Sequence, residues 1–81
     1  MKYVVTGGSG FIGGFIVEAL AKESEQNEVI IFDIIRPDFP LYPNVTYMFG
    51  DIRNRHLLNL AFKDAVEVYD CAGLLGTSEL I

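Results

Sequence analysis

Cysteine is nearly absent from this 81-residue chain: Cys71 stands alone, which excludes an intramolecular disulfide and a cysteine-rich zinc site. Basic side chains are scarce as well, 6 against 11 acidic ones, for a net charge of −5. That balance excludes a nucleic-acid binder driven by a basic patch. Any anionic ligand must therefore be held by local backbone donors. No uninterrupted apolar run reaches the ~18 residues of a membrane span, so none is expected. Lys2, the apolar stretch after it and Ala19-Leu20-Ala21 imitate a secretory signal with its cleavage site. Thr6-Gly7-Gly8-Ser9-Gly10 breaks that stretch and Glu18 sits before the would-be site, so a soluble, cytoplasmic protein is expected. Charged residues are too few (21%) and hydrophobic ones too many (51%) for disorder.

What is present fits one small domain spanning residues 1–81. A domain of this size buries roughly 60–65% of the surface of its unfolded chain, a thin margin of stability. Lys2 to Thr6 is β-branched and aromatic and stops at glycines, as a short buried strand does. From Phe11 the period becomes helical, with Phe11, Ile12, Phe15, Ile16, Ala19 and Leu20 forming one apolar stripe. Glu18 and Lys22 stand four apart in the favourable order on the other side. Glu23 to Asn27 is a polar connection. Glu28 to Asp33 is a continuous apolar run ended by an acid, the pattern of a central parallel strand buried on both faces.

Pro37, Pro40 and Pro43 follow, and their missing N–H groups and fixed φ make this an extended crossover. Val45 to Phe49 is strand-like. Asn54 caps a helix to about Lys63, with Leu57, Leu58, Ala61 and Phe62 inward. Val66 to Ala72 is a fourth strand. The expected fold is α/β: a half-Rossmann, four-stranded parallel sheet in the order 3-2-1-4 with packed helices.

The chemistry lies in Thr6-Gly7-Gly8-Ser9-Gly10-Phe11-Ile12-Gly13, between the first strand and the first helix. Gly7 allows the sharp turn off the strand, Gly10 lets the backbone approach a pyrophosphate, and Gly13 lets the helix pack closely. The helix start, at Phe11 and Ile12, offers free N–H groups and the positive dipole end to that anion. Its place between strand and helix is the context that dinucleotide binding requires. A P-loop is excluded, since no Gly-Lys-Ser/Thr follows. Asp33 ends the second strand 20 residues after Gly13, where a carboxylate can accept both ribose hydroxyls of NAD. Ile34 follows it in the candidate set. Arg36, three residues on, keeps NADP open as the alternative cofactor, because an arginine nearby neutralises a 2′-phosphate.

The glycine segment resembles the T-G-G-x-G-F-I-G signature of the extended short-chain dehydrogenases/reductases, NAD-dependent sugar-nucleotide epimerases, dehydratases and decarboxylases. Gly50-Asp51-Ile52-Arg53 resembles that family's G-D-[IL]-R segment. The resemblance implies that Asp51 accepts from the adenine amino group and that the Ile52 backbone helps read the ring. Cys71-Ala72-Gly73 stands where the family has L-A-A or A-A-G, which implies main chain beside the cofactor at Ala72 and Gly73. Asp70 departs from the pattern, for many members place a histidine there. The family's Tyr-x-x-x-Lys pair is also missing. Tyr3, Tyr42, Tyr47 and Tyr69 are followed four residues later by Gly7, Thr46, Asp51 and Gly73.

The chain therefore reads as an amino-terminal piece of such an enzyme, with no catalytic residue and no metal ligand of its own. A nucleotide sugar would be bound only by a complete parent. The other readings are a non-catalytic NAD-binding or sensing module and a fragment of an NADP-dependent reductase. His56 reads as a solvated surface residue and Cys71 as an inert core thiol. Thr77-Ser78-Glu79 is a lesser candidate for brushing the cofactor, by its position after a strand end. An exposed edge on the fourth strand is expected to invite self-association.

Overall fold

The two continuous apolar runs of the sequence become the two central strands of a parallel sheet. The structure is a computed structural model that describes residues 1–72. Its elements are β1 (Lys2–Thr6), α1 (Phe11–Glu23), β2 (Glu28–Asp33), β3 (Val45–Phe49), α2 (Arg55–Phe62) and β4 (Glu67–Asp70). The four strands lie in the order β3-β2-β1-β4. All three pairings are parallel, with Val5 opposite Ile31, Val4 opposite Val68, and Ile31 opposite Tyr47.

Alternate side chains of β1 and β2 go to opposite faces, and each face has its own helix. Tyr3, Val5, Val29 and Ile31 pack with Val17, Leu20 and Ala21 of α1. Val4, Ile30 and Phe32 pack with Ala61 of α2, flanked by Leu57, Leu58 and Phe62. Phe32, Ile31 and Val4 are fully buried, each contributing about 1.5–3 kcal/mol relative to exposure. The Asn54 side chain accepts from the Leu57 N–H at 3.1 Å and starts α2, a cap that contributes about 1 kcal/mol.

The face that α1 buries differs from the expected stripe. Gly13, Val17, Leu20 and Ala21 are buried, Ile16 is half-buried, and Phe11, Ile12, Phe15 and Ala19 are exposed. The cause is steric. A side chain at Gly13 would run into the Gly7 carbonyl, so this glycine must face the loop, and its rotation sets the whole helix. Phe11 and Phe15 then stack edge to face on the outside, ring centroids 5.0 Å apart.

The proline-rich crossover holds no helix, as expected, but it bends at Ile34–Ile35 and Asp38–Phe39, turns at Pro43–Asn44, and is tied down at its end. Asn44 Nδ2 donates to the Ala21 and Ser24 carbonyls at 3.1 and 3.2 Å. The Tyr42 hydroxyl donates to Glu18 Oε2 at 3.0 Å, and Glu18 also pairs with Lys22. β4 is shorter than the sequence suggests, because its partner β1 turns away at Gly7. The Val66 and Cys71 N–H groups still donate to the Lys2 and Thr6 carbonyls on either side of it. Among the described residues no helix is long and apolar enough to cross a membrane.

Candidate functional site

Parallel strands end together, and ligands of open α/β sheets bind in the crevice beyond those carboxyl ends. Here the end of β2 and the segments that follow β1, β2, β3 and β4 line a cleft of about 390 Å³. Gly7, Gly10, Asp33, Ile34, Asp51, Ile52 and Ala72 all line it, so seven of the sequence-selected residues converge on one space. Phe11, Ile12 and Gly13 do not line it; they form the helix start behind the loop. Gly73 and Thr77-Ser78-Glu79 lie outside the described residues.

A larger hollow, about 610 Å³, lies between α1 and the proline-rich crossover, away from most of the strand ends. The Phe11 side chain lines this hollow, so only its backbone can serve the cleft.

The glycine loop is held by its own backbone. The Gly7 N–H donates to the Phe32 carbonyl at 2.9 Å, and the Gly10 N–H donates to the Gly7 carbonyl at 3.1 Å. Gly7 has φ +70°, and a Cβ there would stand 2.7 Å from the Ala72 backbone. Only glycine satisfies both constraints. Gly10, by contrast, has φ −83° and ψ 179°, an extended conformation that any residue adopts. It is the N-cap of α1 and no side chain caps the helix, so the first-turn donors face outward unclaimed by a cap.

Opposite the loop stands Asp33. Its Oδ2 accepts from the Ser9 N–H at 3.1 Å and its Oδ1 from the Ile35 N–H at 3.0 Å. The Ser9 hydroxyl donates to the Ile35 carbonyl at 2.6 Å, closing the link between the two segments. Each carboxylate oxygen keeps a further lone pair for a ligand.

Asp51 is gripped by Arg53. The guanidinium donates to both carboxylate oxygens, closest at 2.7 Å, and the Arg53 N–H adds a bond at 2.9 Å. These hydrogen bonds hold the Asp51 pKa down at about 2. Arg53 thus has a local partner that its place in the sequence did not reveal. At the other wall the Thr6 hydroxyl donates to Asp70 Oδ1 at 2.6 Å. Cys71 is buried beside the loop; desolvation, then the charge of Asp70, pushes its thiol pKa up. His56 is exposed.

Sequence reasoning passed over Ser9 and Tyr47. Ser9 sits inside the motif and could have been found there. Nothing local marks Tyr47, whose hydroxyl donates to the Asp33 carbonyl at 3.1 Å from the neighbouring strand.

This arrangement of loop, helix start and acidic strand end has clear relatives. Residues 4–79 match the model of the 3-beta hydroxysteroid dehydrogenase/isomerase family. The chain belongs to that family. A 3-beta-hydroxysteroid dehydrogenase of Mycolicibacterium neoaurum is 40% identical over 53 residues, 65% of this chain. Among solved structures, dTDP-glucose 4,6-dehydratase of Bacillus anthracis in complex with NAD is 30% identical over 86% of this chain, with a TM-score of 0.73. UDP-glucuronic acid 4-epimerase of Bacillus cereus in complex with NAD is 29% identical over 86% of it, with a TM-score of 0.68. The chain spans 14% of the length of the Mycolicibacterium relative and 26% of each of these two structures. The family match runs from within β1 to beyond β4, so every residue that lines the cleft lies within it.

Proposed function

We propose that the chain is the NAD(H)-binding portion of an NAD-dependent nucleotide-sugar epimerase or dehydratase. The observation that carries this reading is the convergence of the Gly7–Gly10 loop and the Asp33 carboxylate on one cleft, linked through Ser9. Gly10 needs no special backbone angle, so its lack of a side chain matters toward a ligand. The pyrophosphate would rest on the Gly10 backbone and the donors of Phe11 and Ile12 at the start of α1. Asp33 would accept from the adenosine ribose, with Ile34 beside it. Asp51, Ile52 and the backbone at Ala72 and Gly73 would flank the adenine end.

When bound, NAD supplies a hydride acceptor; this chain's residues bind and orient it. The net charge of −5 leaves the attraction for phosphate to the free N–H groups at the helix start. The two structural neighbours with NAD support a nucleotide sugar as the substrate of a complete enzyme. The family match and the Mycolicibacterium relative favour a second reading, in which that substrate is a hydroxysteroid.

Calorimetric titration of the 81-residue chain with NAD and NADP tests the cofactor reading. NAD is expected to bind at roughly micromolar to millimolar Kd, more tightly than NADP. No heat from NAD at millimolar concentration would overturn it. No turnover of nucleotide sugars is expected, because the chain holds no Tyr-x-x-x-Lys pair to act as general base.

A further inference from the structure

Arg36 is placed by sequence where it could neutralise a 2′-phosphate, yet it does not line the cleft that Asp33, Ile34 and Ile35 line. Its guanidinium lies over the Tyr47 ring instead, 5.9 Å from the centroid. Among the described residues Arg36 makes no ion pair, so the aromatic face is its charge partner. The segment leading to it is fixed at both sides. Ser9 Oγ holds the Ile35 carbonyl at 2.6 Å, and Asp33 Oδ1 holds the Ile35 N–H at 3.0 Å. Tyr47 is half-buried on β3, and its hydroxyl is fastened to the Asp33 carbonyl at 3.1 Å. The ring is therefore a fixed platform, while Arg36 is exposed and long enough to lie elsewhere.

We propose that Tyr47 is a positioning residue that holds Arg36 out of the cofactor cleft and so biases the site against the 2′-phosphate of NADP. The proposal rests on the cofactor reading above. With Arg36 on the ring, the charge facing the ribose 2′ position is the Asp33 carboxylate alone, which accepts a hydroxyl and repels a phosphate. An arginine released from the ring reverses that sign. A cation on an exposed aromatic face is held weakly, so the device shifts selectivity by a few-fold rather than by orders of magnitude.

The test is the ratio of NAD to NADP affinity, measured by calorimetry on the full chain. Tyr47→Leu removes the ring and is expected to raise NADP affinity relative to NAD by about two- to five-fold. Tyr47→Phe keeps the half-buried ring and loses only the hydroxyl, and it should move the ratio less than Tyr47→Leu does. In an Arg36→Ala background the effect of Tyr47→Leu should vanish. An unmoved ratio in a folded Tyr47→Leu chain that still binds NAD overturns the proposal, as does an equal shift without Arg36. If Tyr47→Leu does not fold, Arg36→Ala alone decides. Arg36→Ala should barely change NADP binding, and a clear loss would mean that Arg36 already reaches the phosphate. A native chain that binds neither dinucleotide would remove the cofactor reading itself, a result distinct from either.

Discussion

The Ser9 N–H and the Asp33 carboxylate meet at 3.1 Å, joining the glycine loop to the end of β2 across 24 positions of sequence. Under the proposed cofactor reading, the bond ties the phosphate side of the cleft to its ribose side. It also points one carboxylate oxygen by a backbone donor rather than by a flexible side chain.

Asp33→Ala should weaken NAD about tenfold, since hydrogen bonds to a charged group contribute about 1.5–3 kcal/mol and 1.4 kcal/mol is tenfold. NADP binding should fall less or improve, because the repulsion of its 2′-phosphate goes with the carboxylate. Calorimetric titration of the variant with both dinucleotides checks this, and an unchanged preference would count against the ribose role.

Two glycines of the loop should fail in different ways. Gly7→Ala forces a side chain into φ +70° and against Ala72, so urea unfolding should show a loss of at least about 1–2 kcal/mol. Gly10→Val keeps an ordinary extended conformation, so its unfolding midpoint should stay near the native value while NAD binding disappears. Unchanged NAD affinity in Gly10→Val would remove the phosphate-cradle argument.

The Asp51 carboxyl should titrate near pH 2 in carbon-detected NMR. Its folded pKa lies below the ordinary 3.8, so the pair with Arg53 favours the folded state above that value. That contribution is lost as the pH falls from 3.8 through about 2. Arg53→Ala should move the midpoint back toward the ordinary value. A midpoint unmoved by that substitution would place the cause of the shift elsewhere.

Self-association of the 81-residue chain is expected through β4. Within the described sheet that strand pairs only with β1, and Val66 just before it and Val68 on it are 53% and 40% exposed. An unpaired parallel edge with apolar side chains is a template for another strand. Sedimentation should show concentration-dependent association, reduced by Val68→Lys. A monomer at high concentration would contradict this expectation.

The element order, the parallel sheet and the position of the cleft were legible in the sequence, because each rests on local chemistry. β-branched runs that stop at glycine or aspartate make buried strands, prolines at close spacing forbid a helix in the crossover, and a glycine loop between strand and helix sits where the parallel strands end. Asp33 was legible for the same reason, since it ends β2, whereas Asp51, two residues past β3, was picked out by the resemblance of Gly50-Asp51-Ile52-Arg53 to a family segment. The rotation of α1 was decided only in three dimensions. Periodicity gives weight to large apolar residues, but Gly13 ranks first because no side chain fits against the Gly7 carbonyl, and Phe11 and Phe15 are turned outward as a result. The partners of the charged groups were not legible in the sequence either. Arg53 folds back on Asp51 through a turn, and Arg36 rests on a tyrosine that chain order places 11 residues away and the β2–β3 pairing brings near. Composition and spacing state which charges a chain carries; the sheet register and the loop geometry determine which of them meet.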